Sequence, residues 1–348
     1  MLQFARTVMS LKKGDDKELA KAIPPIDESN WFKLQPKTLN VEGGSYDIRL
    51  LANNRLESVS FTGTKLLPKG IWRLEFLTEL HLTNCDLREF PDRLCKLSQM
   101  LAILDLSNNK ISKIDPRLAI LFKNLKQLNL SRNEIRVIPV ELVFIKTLLH
   151  FDISRNHVKK IPFTIGLMKS LKQLNLSHNR LDHFPESIVR PLTNSAKLLL
   201  RLENFDLSGN EVTEADLQSG PGRSFCRSES WQRLRDQYPD QVESHLSPPS
   251  LFEISARSVL KCTKAYRVLH CWLPRTVYEF LQENAALCSR CTAACVAYRS
   301  ELIPGPGHFS LLANTIQSDA ATTRIPIVRF ICWHCDLTGK SADSLRNA

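Results

Sequence analysis

The sequence predicts an α/β solenoid of short stacked strands, followed by a short helical region and a small cysteine-rich module. Three observations predict it: an 11-residue motif recurs along the middle of the chain, the composition changes after residue 247, and two Cys-x-x-Cys pairs lie near the C-terminus. The 348 residues include 43% hydrophobic and 24% charged residues, which is typical of a globular chain. No run of 18 or more apolar residues occurs, so the sequence excludes a membrane-spanning helix.

The recurring motif is Leu-x-x-Leu-x-Leu-x-x-Asn-x-Leu. Copies begin at residues 56, 77, 101, 125, 148, 171 and 202, with Thr64 and Cys85 in place of Asn in the first two. Five of the six spacings are 21 to 24 residues, within the range of about 20–29 residues for a leucine-rich repeat. The sixth spacing is 31 residues and contains an extra segment at 191–200. We therefore predict a horseshoe of about seven leucine-rich repeats.

Each motif position has a physical role. The alternation around Asp105 predicts a short strand with its leucines pointing inward. The asparagines follow the strands, where a side chain that both donates and accepts can satisfy buried backbone groups of adjacent coils; they are Asn109, Asn133, Asn156, Asn179 and Asn210. Four prolines are expected to start the return segments on the convex side, namely Pro91, Pro139, Pro162 and Pro185.

The outward strand positions form one polar, slightly acidic column on the concave face of the solenoid. It comprises His81, Asp105, Asn129, Asp152, Asn175 and Asp206. The chain's net charge of +11 lies mostly beside this column, at positions such as Arg132, Arg155, Lys159, Lys160 and Arg180. These cations are either an ordinary solvated face or a rim for an acidic protein or nucleic-acid backbone. The column itself is not basic, and no direct nucleic-acid contact is expected.

Two amphipathic helices are predicted after the repeats. Ser250 to Leu260 places Leu251, Ile254, Ser255 and Val259 on one face, and Pro248 and Pro249 precede it. The second helix begins at Leu273 and Pro274 and carries Phe280 and Leu281. These eight residues are candidates for binding a partner, while ordinary packing of the helices against the last repeat is the alternative.

The C-terminal cysteines have the spacing of a metal site. Cys288 and Cys291 form one Cys-x-x-Cys pair, and Cys332 and Cys335 form another. Two such turns can close a tetrahedral four-thiolate zinc site with no open position, so we predict structural zinc in a zinc-ribbon-like module. Cys295 and His334 are competing ligands, and free thiols are the alternative.

The order of repeats, SLFEISARSVL, LPRTVYEFL and paired cysteines resembles the nuclear leucine-rich repeat substrate receptors of cullin-2 RING ubiquitin ligases. In that family the first helix is an elongin-binding box and the second motif is a cullin box. Leu251 and Val259 match the ends of the elongin box, and Ser255 stands where cysteine is usual. Leu273, Pro274, Phe280 and Leu281 resemble the opening and the apolar end of the cullin box. The resemblance covers roughly residues 50 to 348.

The resemblance implies a non-catalytic adaptor. Its partners would be elongin C with elongin B, and cullin-2 with its RING subunit. The repeats would hold a protein substrate of the chromatin or replisome class, in the nucleus, with the polar column of outward strand positions as the substrate-binding surface. The other subunits would transfer ubiquitin. The family also has an N-terminal pleckstrin-homology-like domain, for which residues 1–50 are too few, so we expect an N-terminally short member. The choice between cullin-2 and cullin-5 rests on few positions.

The expected domains are a remnant and linker at 1–50, repeats at 51–215, a linker at 216–246, the two box helices at 247–285 and the cysteine-rich module at 286–348. A leucine-rich repeat scaffold or signalling adaptor without a ligase is the alternative function. An enzyme is not expected, because the sequence has no Ser/His/Asp order, phosphate-binding loop or carboxylate pair that would support one.

Overall fold

The computed structural model describes residues 38–42, 56–64, 71, 74–97, 99–181, 184–185, 202–210, 251–261, 273–289, 291, 293–296, 298–303, 313–317, 327–333 and 335. The expected linker at 216–246 and all of the expected remnant except 38–42 lie outside these residues. Within the described part of the chain, no helix is long and apolar enough to cross a membrane.

The main feature is a parallel sheet of nine strands, which lie across the sheet in the order in which they occur in the chain. Its strands are β1 (Thr38–Glu42), β2 (Ser58–Thr62), β3 (Glu79–Thr83), β4 (Ile103–Asp105), β5 (Gln127–Asn129), β6 (His150–Asp152), β7 (Gln173–Asn175), β9 (Leu202–Asp206) and β13 (Ala313–Gln317). Each of the seven predicted repeats supplies one strand, from β2 to β7 and β9, which confirms the solenoid. The sheet is extended at one edge by β1 and at the other by β13.

The core lies behind this sheet and runs through all the coils. The inward strand residues are fully buried, as Leu104 and Leu128 show at 0% and 1% exposure. Leucines that flank each strand fill the space between coils, and Phe61, Phe151 and Phe205 occupy inward strand positions. Because each coil buries its leucines only against its neighbours, stability is distributed along the stack.

The asparagine ladder satisfies the buried turns as predicted. Asn133 Nδ2 donates to the carbonyl of Leu130 in its own coil and to that of Leu106 in the preceding coil, both at 3.0 Å. Its Oδ1 accepts a hydrogen bond from the backbone N–H of Ile111 at 3.0 Å. Cys85 replaces asparagine with longer contacts, since its Sγ lies 3.5 Å from the Phe61 carbonyl oxygen.

The return segments are single turns of helix. Three are 3-10 helices, at Asp92–Leu97, Val140–Phe144 and Phe163–Leu167, and each directly follows a predicted proline. The short helix α1 spans Leu118–Leu121. Pro185 differs from the prediction, because it lies in the two-residue strand β8 (Phe184–Pro185). The backbone there pairs with a strand from the C-terminal region instead of starting a helical turn.

The C-terminal region contributes helix α2 (Leu251–Lys261) and helix α3 (Arg275–Asn284). A small hairpin follows, formed by β10 (Ala286–Leu287) and β11 (Ala294–Cys295). Strand β12 (Tyr298–Ile303) pairs antiparallel with β14 (Ile327–Cys332), and β14 pairs in parallel with β8. Through β8 and β13 the C-terminal region is therefore joined to the end of the solenoid by backbone hydrogen bonds.

Candidate functional site: groove, docking patch and cysteine cluster

The concave face of the sheet forms an open groove with a volume of about 360 Å³. All six residues of the predicted column line it, one from each successive strand: His81, Asp105, Asn129, Asp152, Asn175 and Asp206. The parallel register places these side chains directly beside one another from coil to coil. The structure therefore brings the predicted column together on a single accessible surface.

Hydrogen bonds hold the carboxylates of this column in fixed positions. Asn129 Nδ2 donates to Asp105 Oδ2, and Asn175 Nδ2 donates to Asp152 Oδ2, both at 3.2 Å. Burial raises the pKa of Asp105, but the His81 ring 3.8 Å away and hydrogen bonds from Ser107 outweigh that effect and keep the pKa below its usual value. Asp105 is therefore ionised at neutral pH, and the groove presents negative charge in a basic chain.

The cations named beside the column are all exposed. Arg132, Arg155 and Arg180 follow within five residues of strand ends at one edge of the sheet, whereas Lys159 and Lys160 lie further along their coil. Arg132 and Arg155 have positive φ angles of 55°, a left-handed conformation that the tight turn after each strand imposes. This edge is a separate surface from the groove, which has no lysine or arginine in its lining.

An exposed apolar patch is shared by α2 and α3. We define the docking patch as Leu251, Phe252, Ile254 and Phe280, whose exposures are 84%, 46%, 50% and 42%. The rings of Phe252 and Phe280 meet edge to face, with their centroids 5.5 Å apart, so the two helices form one surface. These four are a majority of the seven exposed large hydrophobic residues in the described part of the chain. A concentrated apolar patch of this kind indicates an interaction site.

The opposite faces of the two helices are buried in one apolar cluster that also contains residues of the solenoid. Leu281 is only 4% exposed and packs with Val140 and Phe163 from the convex side, and Val259 and Leu273 lie at the border of this cluster. The remaining predicted partner-binding residues, Leu251, Ile254, Ser255, Pro274 and Phe280, are exposed. The eight predicted residues are thus divided between an exposed face and a face that attaches the helices to the repeats.

A buried carboxyl group fixes α3 to the solenoid. Glu141 is 0% exposed, and its Oε1 and Oε2 each lie 3.0 Å from the hydroxyl of Tyr278, which donates to this carboxylate. Gln282 Nε2 donates to Glu141 Oε2 at 3.1 Å, while Gln282 Oε1 accepts from the backbone N–H of Val140 at 2.9 Å. Burial raises the pKa of Glu141 to about 7, although the hydrogen bonds from Tyr278 and Gln282 oppose this rise.

The four predicted cysteine ligands form one cluster. The sulfur atoms of Cys288, Cys291, Cys332 and Cys335 all lie within 4.8 Å of one another, and these residues could hold a metal ion. A tetrahedral zinc–thiolate centre with bonds of about 2.3 Å has sulfurs about 3.8 Å apart, which the spacing here fits. Cys291 Sγ and Cys332 Sγ are 3.5 Å apart, so they are not joined in a disulfide.

Cys295 and His334 are the competing metal ligands that the sequence suggests. Cys295 is fully buried, but its Sγ contacts the carbonyl oxygen of Ala286 at 3.6 Å and is not part of the cluster. His334 lies outside the described residues. The backbone N–H of Cys332 donates to Cys288 Sγ at 3.3 Å, so a polar group already supports one of the four sulfurs.

An arginine from α2 reaches this cluster. Arg257 Nη2 lies 3.4 Å from Cys332 Sγ and 3.8 Å from Cys291 Sγ. Burial lowers the pKa of Arg257, but the negative charge of Cys332 and Cys291 outweighs burial and raises it. The guanidinium group therefore connects the helix that carries the docking patch to the cysteine cluster.

Sequence reasoning missed Glu141, Tyr278, Gln282 and Arg257. No local pattern could have found the first three, because more than 130 residues separate Glu141 from its partners on α3. A weak signal existed for Arg257, since it is a cation on the face of α2 between the apolar positions Ile254 and Leu260. Only the folded arrangement shows what each of these polar groups contacts.

Comparison with known proteins identifies the repeats. A family model described as "Leucine rich repeat" matches residues 75–135, 99–158 and 123–181. A leucine-rich repeat protein of Leptospira interrogans is 22% identical, with 59% of this chain and 53% of that chain covered and a TM-score of 0.40. An internalin of Listeria monocytogenes is 21% identical, with 50% and 48% covered and a TM-score of 0.38.

A plant peptide hormone receptor, solved in complex with RGF2, is 26% identical. The match covers 49% of this chain and 27% of that chain, with a TM-score of 0.39. The chain spans about half the length of the two bacterial structures that it matches.

Proposed function

The chain is a leucine-rich repeat protein, a class of protein-interaction scaffold, and we propose that it is the substrate-recognition subunit of a cullin-2 RING ubiquitin ligase. The observation that carries the proposal is the docking patch. Two helices with the sequence features of an elongin box and a cullin box place their exposed apolar residues side by side, through the contact between Phe252 and Phe280.

Elongin C, together with elongin B, is the proposed occupant of the docking patch. Leu251 is the most exposed residue of the docking patch, at 84%, and is the residue best placed to insert into an apolar groove of a partner. Pro274, which is exposed at the start of α3, and Leu273 would contact cullin-2. Burial of an exposed leucine is worth about 1.5–3 kcal/mol, so a few such residues account for specific binding.

The arrangement of the two surfaces suits a substrate receptor. The groove lies on the concave side of the sheet, whereas Glu141 holds α3 on the convex side. A substrate in the groove would leave the docking patch accessible to the ligase. Ubiquitin transfer would then be catalysed by other subunits, because holding a substrate lysine near the charged conjugating enzyme raises its local concentration.

Structural zinc is proposed at the cysteine cluster. The four sulfur ligands fit a closed tetrahedral site, which supplies no open position for catalysis. Arg257 supports this assignment, because a half-buried guanidinium group needs negative charge nearby, and a four-thiolate zinc centre carries a net charge of about −2. The site would hold the hairpin of β10 and β11 against β14.

A nuclear location and a chromatin or replisome substrate are proposed on the resemblance alone. The alternative is a leucine-rich repeat scaffold without ligase association. Binding of elongin C distinguishes the two functions, because a scaffold without a ligase is not expected to bind it.

Affinity purification with mass spectrometry of the full chain tests the proposal. Elongin B, elongin C and cullin-2 should co-purify with the natural chain, and a Leu251→Ala plus Pro274→Ala variant should lose them. Leu167→Ala is a matched control, because Leu167 is an exposed leucine of the solenoid at 39% exposure. Co-purification that is unchanged in the double variant, or absent from the natural chain, would contradict the proposal.

A further inference from the structure

The geometry of Arg257 points to a coupling between two parts of the molecule. We infer that Arg257 is a positioning residue through which metal at the cysteine cluster fixes α2 and the docking patch in their binding orientation. The inference rests on the proposed function for the partner, elongin C, and on the cysteine cluster for the metal.

The first step is the position of Arg257 between the two features. It lies three residues after Ile254 and five after Phe252, so three of the four docking-patch residues and the guanidinium group belong to the same short helix. On the other side, its Nη2 contacts Cys332 Sγ and Cys291 Sγ, one from each Cys-x-x-Cys pair. The contact therefore depends on the two cysteine pairs being held together.

The second step is the small apolar anchorage of α2. Among its described apolar residues only Ala256 and Leu260 are buried, in one cluster with Leu281 of α3, Ala294 of the hairpin and two solenoid residues, Val140 and Phe163. Leu251, Phe252 and Ile254 are exposed and contribute little to holding the helix. Beside this apolar contact and the buried Glu253, the hydrogen bonds from Arg257 to two cysteine sulfurs are a further contact that fixes α2.

The third step is what metal supplies. Cys291 and Cys332 come from segments about 40 residues apart in sequence, and a shared ion ties their sulfurs at the spacing that Arg257 bridges. Without that tie, the two cysteine pairs are held together by hydrogen bonds between the Cys288 segment and β14, so the spacing that Arg257 bridges is less firmly fixed. Arg257 Nε is buried and has no hydrogen-bond partner among the described residues, so this nitrogen adds no further contact that would hold the guanidinium group.

The coupling is reciprocal by thermodynamic necessity. If metal at the cluster raises the affinity of the docking patch for elongin C, then elongin C raises the retention of metal by the same factor. Outer contacts to metal ligands commonly change metal affinity by about 10- to 100-fold, so we expect a factor of about ten in each direction.

The experiment uses the full chain loaded with zinc. The affinity for elongin B–elongin C is measured by calorimetry, the retention of zinc by its release to a colorimetric chelator, and the protection of α2 by hydrogen exchange. These are compared among the natural chain, Arg257→Gln, Arg257→Lys and Arg117→Gln. Arg117 is a matched control, because it is an arginine of the solenoid paired with Asp115, far in sequence from the cluster.

In the zinc-loaded state, Arg257→Gln should bind elongin B–elongin C about tenfold more weakly than the natural chain and should retain zinc about tenfold less well. Its α2 should also be less protected from hydrogen exchange. Arg257→Lys should recover part of each, since it keeps the charge but not the fork of donors. Arg117→Gln should match the natural chain. Elongin C should slow zinc release from the natural chain and not from Arg257→Gln. Exchange at β5 and β6 should be unchanged throughout, which shows that the solenoid is folded.

Equal zinc retention and equal protection of α2 in Arg257→Gln and the natural chain would overturn the inference. Failure of the proposed function is distinguishable, because then no form binds elongin B–elongin C. Zinc retention and exchange at α2 would still decide the coupling in that case.

Discussion

Attachment of the docking helices to the solenoid should weaken as pH rises through neutrality. Glu141 has an ordinary pKa of 4.5, and burial raises it to about 7 in the fold. A carboxyl group with a raised pKa holds its proton more tightly in the folded chain than in the unfolded chain. Its stabilising contribution is fully present below pH 4.5 and is lost as pH rises through about 7.

The size of the effect follows from these two values. At 1.36 kcal/mol per pKa unit, a rise from 4.5 to about 7 corresponds to about 3 kcal/mol. Tyr278 does not add to this pH dependence, because burial and the neighbouring Glu141 both raise the pKa of its hydroxyl, which therefore remains a hydrogen-bond donor. Most of the loss should affect α3, which carries both Tyr278 and Gln282.

Hydrogen exchange of residues 275–284 between pH 5 and pH 8.5, corrected for the intrinsic exchange rate, measures the opening free energy of α3. It should fall by up to about 3 kcal/mol in the natural chain and by much less in Glu141→Gln, whose side chain does not ionise. Glu134→Gln is the control, since Glu134 is exposed on a neighbouring part of the solenoid. A natural chain whose pH dependence equals that of Glu141→Gln would refute the reasoning.

Three further predictions concern the solenoid and the metal. Asn156→Ala should lower the free energy of unfolding by about 2 kcal/mol in urea titrations, because it leaves the buried N–H of Ile135 without its partner and the carbonyl of Leu130 with Asn133 alone. A change below about 1 kcal/mol would contradict the ladder's role. Gly209→Ala should lower the free energy of unfolding by about 1–2 kcal/mol, because φ is 64° there and an added Cβ would meet the ring of His178. Adding His178→Ala to this variant should restore part of the lost stability. No recovery would point to backbone strain alone. Elemental analysis should find one zinc per natural chain and none in Cys332→Ser, and a folded, metal-free natural C-terminal region would exclude the metal site.

The solenoid could be predicted in detail because its information is local and repeated. The position of Asp105 between two buried leucines defines the strand, and the same pattern predicts its neighbour Asn129 in the next coil. The groove follows directly, since parallel strands in register bring equivalent positions together. Pro185 was the exception, because its surroundings are set by β14, more than 140 residues later, and not by the repeat.

The C-terminal region could be predicted only in part. Spacing was sufficient to group Cys288 with Cys332, because two Cys-x-x-Cys turns have few ways to share an ion. Periodicity placed Leu281 on the apolar face of its helix, but it could not decide whether that face meets a partner or the solenoid. The decision depends on the buried cluster around Val140 and on the hydrogen bonds of Glu141, which are long-range contacts that no local pattern encodes.

Direct titration of the purified full chain with elongin B–elongin C tests the central claim. We expect a one-to-one complex, and we expect Leu251→Asp to weaken it at least tenfold, because this change places a charge on the most exposed apolar residue of the docking patch. Absence of binding by the natural chain, or equal affinity in the Leu251→Asp variant, would contradict the claim that this leucine-rich repeat protein joins a ubiquitin ligase through α2 and α3.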